Sequence, residues 1–552
     1  MVQNKEQIKL NLGCGTDHRD GYINIDAVEA VHPDVVQDLL DGLPFEDASV
    51  SEVVAQDILE HFIYDDFLYV VSEIARVLKD GGELYVRVPN VDAIVEQFED
   101  DKEVRNIFLY GSTAHRTDTG VFGAHKIGFT RTRLVAECLV YGLTPRSVEE
   151  VGTNFEAVFV KIEPLNVSSL LFLNQALSIG GAEVFDADIL SALKMKADIH
   201  IAAFTNHSFF AHMLEYRDIT ALQVPWVVDL IGNVRGLVKA LVFAPLLTFW
   251  YAVTLWKYRH VDVLMLSGFT EKVLATPWAY LFNIPTVWIE FGPLHSVFSK
   301  LFGIPKILYR LVVGLPDRVI VPSHNTMEDL LTSARISLAK MEAIPCGSAL
   351  QPVKKFADVK APIIVCASRL ENGKGQDILL RAFKDVIKKV PGAKLHIIGE
   401  GDFLEELQQL VEELKLEKTV SFLGRVQSVR EHMQAAQLVV FPSLWTLEGF
   451  GLVTIEAMAL AKPVVAFNRG PTNEIVIDGE TGILAKEHSP QALASAILTL
   501  MKSPKKRKEY GEAGLKRFNK IYTINQTATA YKNVLVKALA WNKARQVAKE
   551  TH

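Results

Sequence analysis

Cysteine is scarce in this chain: Cys14, Cys138, Cys346 and Cys366 are the only four among 552 residues. Their wide scatter lacks the paired spacing of a zinc site, which excludes a disulfide framework and a cysteine metal centre and predicts a reducing compartment. The opening MVQNKEQIKLNLG has no apolar core of signal-peptide length, so a cytoplasmic protein is expected. Net charge is low for the length, −7, which argues against a nucleic-acid partner. The total conceals an asymmetry. Residues 1–164 carry 14 Lys+Arg against 30 Asp+Glu, and the remainder 44 against 35, so an acidic unit is joined to a basic one suited to anionic nucleotides or an anionic membrane surface. Long apolar runs are also few. The most apolar, ALVFAPLLTFWYAVTLW at 240–256, is 17 residues, the lower edge of a membrane span, and Pro245 interrupts it. Its flanks are basic (Arg235, Lys239, Lys257, Arg259) and it holds Trp250, Tyr251 and Trp256. Two readings stand: a helix that docks on the inner face of the cell membrane through 236–258, and a plain buried helix.

What is present is enough apolar residue, 49%, for three or four domains. In IKLNLGCGTDHRDGYINIDA a strand ends in Gly13-Cys14-Gly15, where the backbone can approach a ligand closely. A second strand ends at Asp26, placed to accept from ribose hydroxyls, as in a Rossmann-type nucleoside site. VVQDLLDGLPFEDASVSEVVAQDILEHF, an amphipathic helix near 65–78 and KDGGELYVRVPN follow. This order resembles class I S-adenosylmethionine-dependent methyltransferases, close to the short methyltransferase-like proteins of bacterial surface-polysaccharide clusters. The resemblance implies that Gly13 and Gly15 pass beneath the methionine part of the cofactor, that Asp26 holds the ribose, and that Asp38 with Leu39 borders the adenine. It also places Glu60 and His61 at the mouth of the site. His61 and His125 are the candidate bases for methyl transfer; a plainer reading makes His61 a strand cap and puts His125 on a polar loop. Leu12 and Tyr22 enclose nine residues, too few for a full crossover helix, so the first helix is predicted to be truncated or missing.

Pro164 and Asn166 break the pattern and set a boundary near 165. Strands then alternate with helices to the end of the chain, which predicts an α/β protein with a second and a third Rossmann-like domain facing each other across a cleft. Asp186 and Asp188 form a D-x-D pair, but residues i and i+2 on a helix face different ways, so no metal is expected there. In EGFGLVTIE, Glu448 and Glu456 flank a glycine turn that opens a helix. Paired acids suggest glycoside hydrolysis, whereas the turn suggests phosphate binding at a helix N-terminus. The cations Arg369 and Lys374 in SRLENGKG favour the second, and upstream Gly180 and Gly181 form a turn that feeds an apolar-periodic helix. Together these motifs resemble GT-B, family 4 retaining glycosyltransferases over about 168–540.

That resemblance implies that Arg369 and Lys374 grip the donor diphosphate, and that Gly180 and Gly181 approach it from the opposite domain. Glu448 would meet the transferred sugar and Glu456 the ribose, with Gly449, Phe450, Gly451 and Leu452 between them. The family often has a histidine where this chain has Phe291; His295 either substitutes for it or simply packs. The implied organisation is a methyltransferase-like domain at 1–164, an acceptor-side GT-B domain at 165–347, a nucleotide-sugar domain at 361–524, and a closing helix and tail at 525–552 that return to the first GT-B half. The implied function is bifunctional: S-adenosyl-L-methionine as methyl donor in the first domain, and retaining transfer from a nucleoside-diphosphate sugar to a glycan or lipid-linked acceptor in the others, with no metal. A non-catalytic first domain, and a sugar-linkage hydrolase or phosphorylase, are the alternatives.

Overall fold

A computed structural model describes residues 7–110, 125–176, 179–231, 234–445 and 448–550, apart from the side chains of 103, 107, 234–237 and 550. Arg235 and the start of the proposed 236–258 contact segment therefore lie outside the described side chains, as does the end of the tail at 551–552.

Among the described residues the first unit holds seven strands: β1 (Ile8–Leu12), β2 (Ile23–Asp26), β3 (Val35–Val36), β4 (Val50–Gln56), β5 (Leu78–Pro89), β6 (Leu143–Val151) and β7 (Asn154–Lys161). They lie in the order β3-β2-β1-β4-β5-β7-β6. The first five are parallel, and β7 and β6 add antiparallel. Central parallel strands are covered on both faces, which is why LNL and VVA are buried. Between β1 and β2 the chain makes only turns, as the nine-residue count predicts. A polar network stands where the crossover helix would be: Asn11 Nδ2 donates to Asn24 Oδ1 (3.0 Å) and to the Asp17 carbonyl (2.7 Å), and Asn24 Nδ2 donates to Asp34 (2.9 Å).

The second unit, Ser168–Val534, contains two parallel sheets. Strands β8 (Ser169–Asn174), β9 (His200–Thr205), β10 (Thr220–Gln223), β11 (Val263–Leu266), β12 (Thr286–Ile289), β13 (Arg318–Val321) and β14 (Met341–Ala343) take the order β10-β9-β8-β11-β12-β13-β14. Strands β15 (Ile363–Ala367), β16 (Lys394–Ile398), β17 (Val420–Phe422), β18 (Leu438–Phe441), β19 (Val464–Phe467) and β20 (Gly482–Ala485) take the order β17-β16-β15-β18-β19-β20. In both sheets the order reverses beside the first strand, and ligands of such sheets bind at that switch point, off the carboxyl ends of the strands. Each sheet has its own apolar core, around Trp288 and Tyr309 in one and Phe383 and Leu395 in the other.

The final helix, Ile524–Glu550, departs from the expected course. Its start does lie on the first half of the second unit, with Thr527 Oγ1 donating to the Pro345 carbonyl (3.0 Å) and Tyr531 edge-on to Phe185. From Leu535 onward it belongs to the first unit instead of ending as a tail. The reason is an apolar i, i+4 stripe: Ala540 and Ala544 are buried in that unit's core, with Trp541 packed beside them.

Candidate functional sites

The second unit's site forms where the loops after β15 and β18 meet the start of helix Gly181–Ala197. A cavity of about 320 Å³ is lined there by Gly181, Phe291, Arg369, Lys374, Trp445 and Glu448, among others. Gly449, Phe450, Gly451 and Leu452 line it too, so the first turn of helix Leu452–Ala459 opens on it. The first N–H groups of a helix have no partner within it and carry a partial positive charge.

Lys374 Nζ is 2.7 Å from Glu448 Oε2, which also accepts from Ser443 Oγ (2.8 Å). Burial pushes the Lys374 pKa down, while Glu448 opposes the shift. The ammonium sits 3.9 Å from the centroid of the Trp445 ring, and the Arg369 guanidinium 5.2 Å from it. Arg369 is also paired with Glu371 (2.7 Å) and remains half exposed to the cavity mouth. Two cations, an aromatic platform and a helix N-terminus thus converge on one small volume, an arrangement fitted to a diphosphate.

The two halves touch directly around the glycine turn. A Cβ added at Gly449 would fall 1.5 Å from the Phe291 carbonyl oxygen, so only glycine allows this approach. Ser323 Oγ donates to the Gly449 carbonyl (3.1 Å), and the Glu474 carboxylate accepts the His324 and Asn325 N–H groups (2.9 Å each).

The other sequence candidates are placed less centrally. Gly180 caps helix Gly181–Ala197, its N–H donating to Glu183 (2.8 Å). Glu456 lies one turn down its helix, off the cavity lining, and its pKa is pushed up to about 7 by burial and then by the negative Asp188. Phe291 gives the cavity an apolar wall, edge-on to Phe185. His295 is bonded to Asp329 (3.0 Å) and is not among the residues that line the cavity. Asp186 and Asp188 take separate partners, Asp186 with Asn174 and Ser267 and Asp188 with Arg217. Trp445, Ser443 and Glu474 were not singled out from sequence. Only Trp445, an aromatic just ahead of Glu448, carried a signal.

In the first unit Gly13 (φ +60°) and Gly15 (φ +48°) form the turn after β1. A Cβ at Gly13 would lie 2.6 Å from Ile58, which closes the turn from the β4 side. Asp26 accepts from the Gly15 N–H through Oδ2 and from the Val28 N–H through Oδ1 (2.9 Å each), fixing the turn to the strand tip. Asp38 caps a short turn by accepting from the Leu40 N–H (2.9 Å), and Leu39 is buried in the core, so what Leu39 offers a ligand is backbone. Glu60, His61 and His125 come together beyond β4. Burial pushes the Glu60 carboxyl up to about 8 and, with the charge of His61, pushes His125 down. A left-handed glycine turn facing open space at Gly15, beside an acid at a strand tip, fits a nucleoside cofactor.

Helix Val234–Lys257 buries Ala240, Leu247, Tyr251 and Leu255 along one face and exposes Leu241, Val242, Leu246, Phe249, Val253 and Trp256 along the other. Among the described residues, Val238–Lys257 is the one stretch long and apolar enough to cross a membrane.

Residues 349–517 match the family model described as glycosyl transferases group 1, and residues 10–86 match a methyltransferase domain model. The chain is 34% identical over 299 residues to the GDP-mannose-dependent alpha-(1-6)-phosphatidylinositol monomannoside mannosyltransferase of Mycolicibacterium smegmatis, covering 46% of this chain and 77% of that protein. It is 29% identical over 233 residues to the D-inositol 3-phosphate glycosyltransferase of Corynebacterium aurimucosum, covering 41% of this chain and 52% of that protein. Among solved structures, Anabaena Alr3699/HepE in complex with UDP-glucose superposes with a TM-score of 0.54 at 22% identity, covering 66% of this chain and 98% of that one; this is a likeness of fold. With the E-x7-E turn, the two-sheet unit and this similarity, the chain belongs to the group 1 glycosyl transferases, in their GT-B form, and carries a methyltransferase-like domain ahead of that unit.

Proposed function

We propose that the second unit transfers a sugar, with retention, from a nucleoside-diphosphate donor to a glycan or lipid-linked acceptor. The observation that carries this is the Lys374–Glu448 pair beneath Arg369 and Trp445, at the N-terminus of helix Leu452–Ala459. Breaking a sugar–phosphate bond leaves negative charge on the diphosphate, and Lys374, Arg369 and the helix N–H groups are the donors that stabilise it. Glu448, released from Lys374 as the phosphate takes over that cation, then accepts from hydroxyls of the sugar. Gly181 closes on the donor from the other half, and Glu456 serves the ribose end. Phe291 leaves the reacting face apolar, so an acceptor there is oriented by shape. Relatives named for GDP-mannose and for phosphatidylinositol mannoside support a lipid-linked acceptor, and the exposed apolar face of helix Val234–Lys257, with basic Lys257 and Arg259 at its end, is the surface that meets the lipid. Peripheral attachment follows from this.

The first unit binds S-adenosylmethionine through Gly13, Gly15 and Asp26. The cofactor supplies an electrophilic methyl group; the protein fixes its ribose at Asp26 and keeps the glycine turn open for its close approach. These two activities make the chain bifunctional in polysaccharide or glycolipid assembly.

The direct test is a screen of nucleotide sugars, including GDP-mannose and UDP-glucose, for donor hydrolysis and transfer by the full chain. One donor turned over with retained configuration is expected. Cleavage of sugar linkages without any nucleotide donor would replace this reading with the hydrolase or phosphorylase one.

A further inference from the structure

The cluster beyond β4 has features that the glycine turn does not account for. Glu60 and His61 lie in a single 3-10 turn, Leu59–His61. His125 is clamped to them by backbone, since the Glu60 carbonyl accepts the N–H groups of Lys126 (2.7 Å) and Ile127 (3.3 Å). One ligating atom from each of the three residues lies within 4.8 Å of the others. His125 Nε2 is 4.0 Å from Glu60 Oε1, and the two imidazoles meet edge-on with centroids 5.1 Å apart.

Two observations point to a cation. Glu60 is 1% exposed, and among the described residues its Oε2 has no hydrogen-bond partner, an arrangement that is costly for a carboxylate unless something positive reaches it. His125 Nδ1 is 3.1 Å from the Phe108 carbonyl. A carbonyl only accepts, so Nδ1 carries the proton and Nε2 keeps its lone pair on the side of Glu60. An outer hydrogen bond of this kind fixes the tautomer of metal-ligating histidines. Asp57 nearby is paired with Arg87.

We propose that Glu60, His61 and His125 bind one zinc-class divalent cation through one carboxylate oxygen and two imidazole nitrogens. Imidazole with carboxylate suits such first-row ions, and three protein ligands leave a position open for a further oxygen ligand. Bond lengths of about 2.0–2.2 Å bring the ligand atoms closer than they now stand, so the three side chains turn inward on binding. His61 is then a ligand and not a proton acceptor. The inference does not depend on methyl transfer.

The test uses tag-free full-length protein stripped with a chelator, titrated calorimetrically with Zn²⁺ and spectroscopically with Co²⁺. One equivalent of Zn²⁺ and visible Co²⁺ ligand-field bands are expected. His61→Asn, His125→Asn and Glu60→Gln each weaken Zn²⁺ binding by at least about 100-fold with unchanged circular dichroism, more than loss of an outer hydrogen bond costs. No uptake by the wild-type chain, or uptake that all three variants retain, overturns the site. Should the variants not fold, X-ray absorption of the wild-type zinc complex decides: two imidazole ligands uphold the site and fewer refute it.

Discussion

Lys374 Nζ and Glu448 Oε2 stand 2.7 Å apart in the wall of the second unit's cavity, with side chains 7% and 16% exposed. The pair explains how a lysine remains in so enclosed a place: burial lowers its pKa and the carboxylate counters that. It also holds both groups ready for exchange. On the proposed function, a diphosphate is a stronger partner for the lysine than one carboxylate is, and its arrival would free Glu448 for a sugar hydroxyl.

The contact of Gly449 with Phe291 predicts an intolerant position. In Gly449→Ala the new methyl meets backbone, which no rotamer change relieves. The halves must part, and the bonds from Ser323 and to Glu474 go with them. A loss of about 1–3 kcal/mol in stability is expected, with donor turnover falling as well. A wild-type melting temperature and turnover in this variant would show that the halves are not held here.

How much of this was legible in the sequence depends on chain distance. Glu448, Gly449 and Gly451 belong to one turn, and Arg369 and Lys374 to one loop at the end of a strand, so local motifs located them. The missing crossover helix was legible by counting from Leu12 to Tyr22. Glu474 was not, because an acid on a short helix reads as surface until the fold brings the His324 N–H to it. Glu60 and His125 were each noticed, but their juxtaposition depends on a backbone clamp between distant segments. The final helix misled for the same reason: nothing local says that Ala540 and Ala544 join the first unit's core.

Asp26 and the glycine turn predict that S-adenosylmethionine stabilises the first unit. At 100 times the dissociation constant the expected gain is about 2.7 kcal/mol, read as a rise in Tm of its transition. Asp26→Ala is expected to abolish the rise, since it removes the proposed ribose acceptor and the anchor of the Gly15 N–H together. If the wild-type chain shows no rise, the first unit is a binding module of another kind.

The outward face of helix Val234–Lys257 predicts vesicle binding. Leu241 and Phe249 are 73% and 69% exposed. Replacing both with aspartate removes apolar contact and repels anionic lipid, so co-sedimentation with anionic vesicles is lost while hydrolysis of a soluble donor persists. Equal sedimentation of the two proteins would remove this surface from the account.

Asp186 predicts a pH dependence of stability. Burial pushes its carboxyl from 3.8 up to about 8, opposed by the Ser267 hydrogen bond. The folded state keeps a proton that the unfolded chain releases, so the contribution is full below about pH 3.8 and lost as pH rises through about 8. Asp186→Asn removes that titration. Its Tm falls less between pH 5 and 8 than the wild-type value, and identical slopes would refute the assignment.

The central claim is that donor cleavage takes place at the Lys374–Glu448 pair, and steady-state hydrolysis of the preferred nucleotide sugar by Lys374→Ala and Glu448→Gln tests it most directly. Each variant is expected to lose about 10²- to 10³-fold in turnover while remaining folded, the scale of removing one preorganised group that stabilises developing charge. Turnover within a few-fold of wild type in either variant would contradict it.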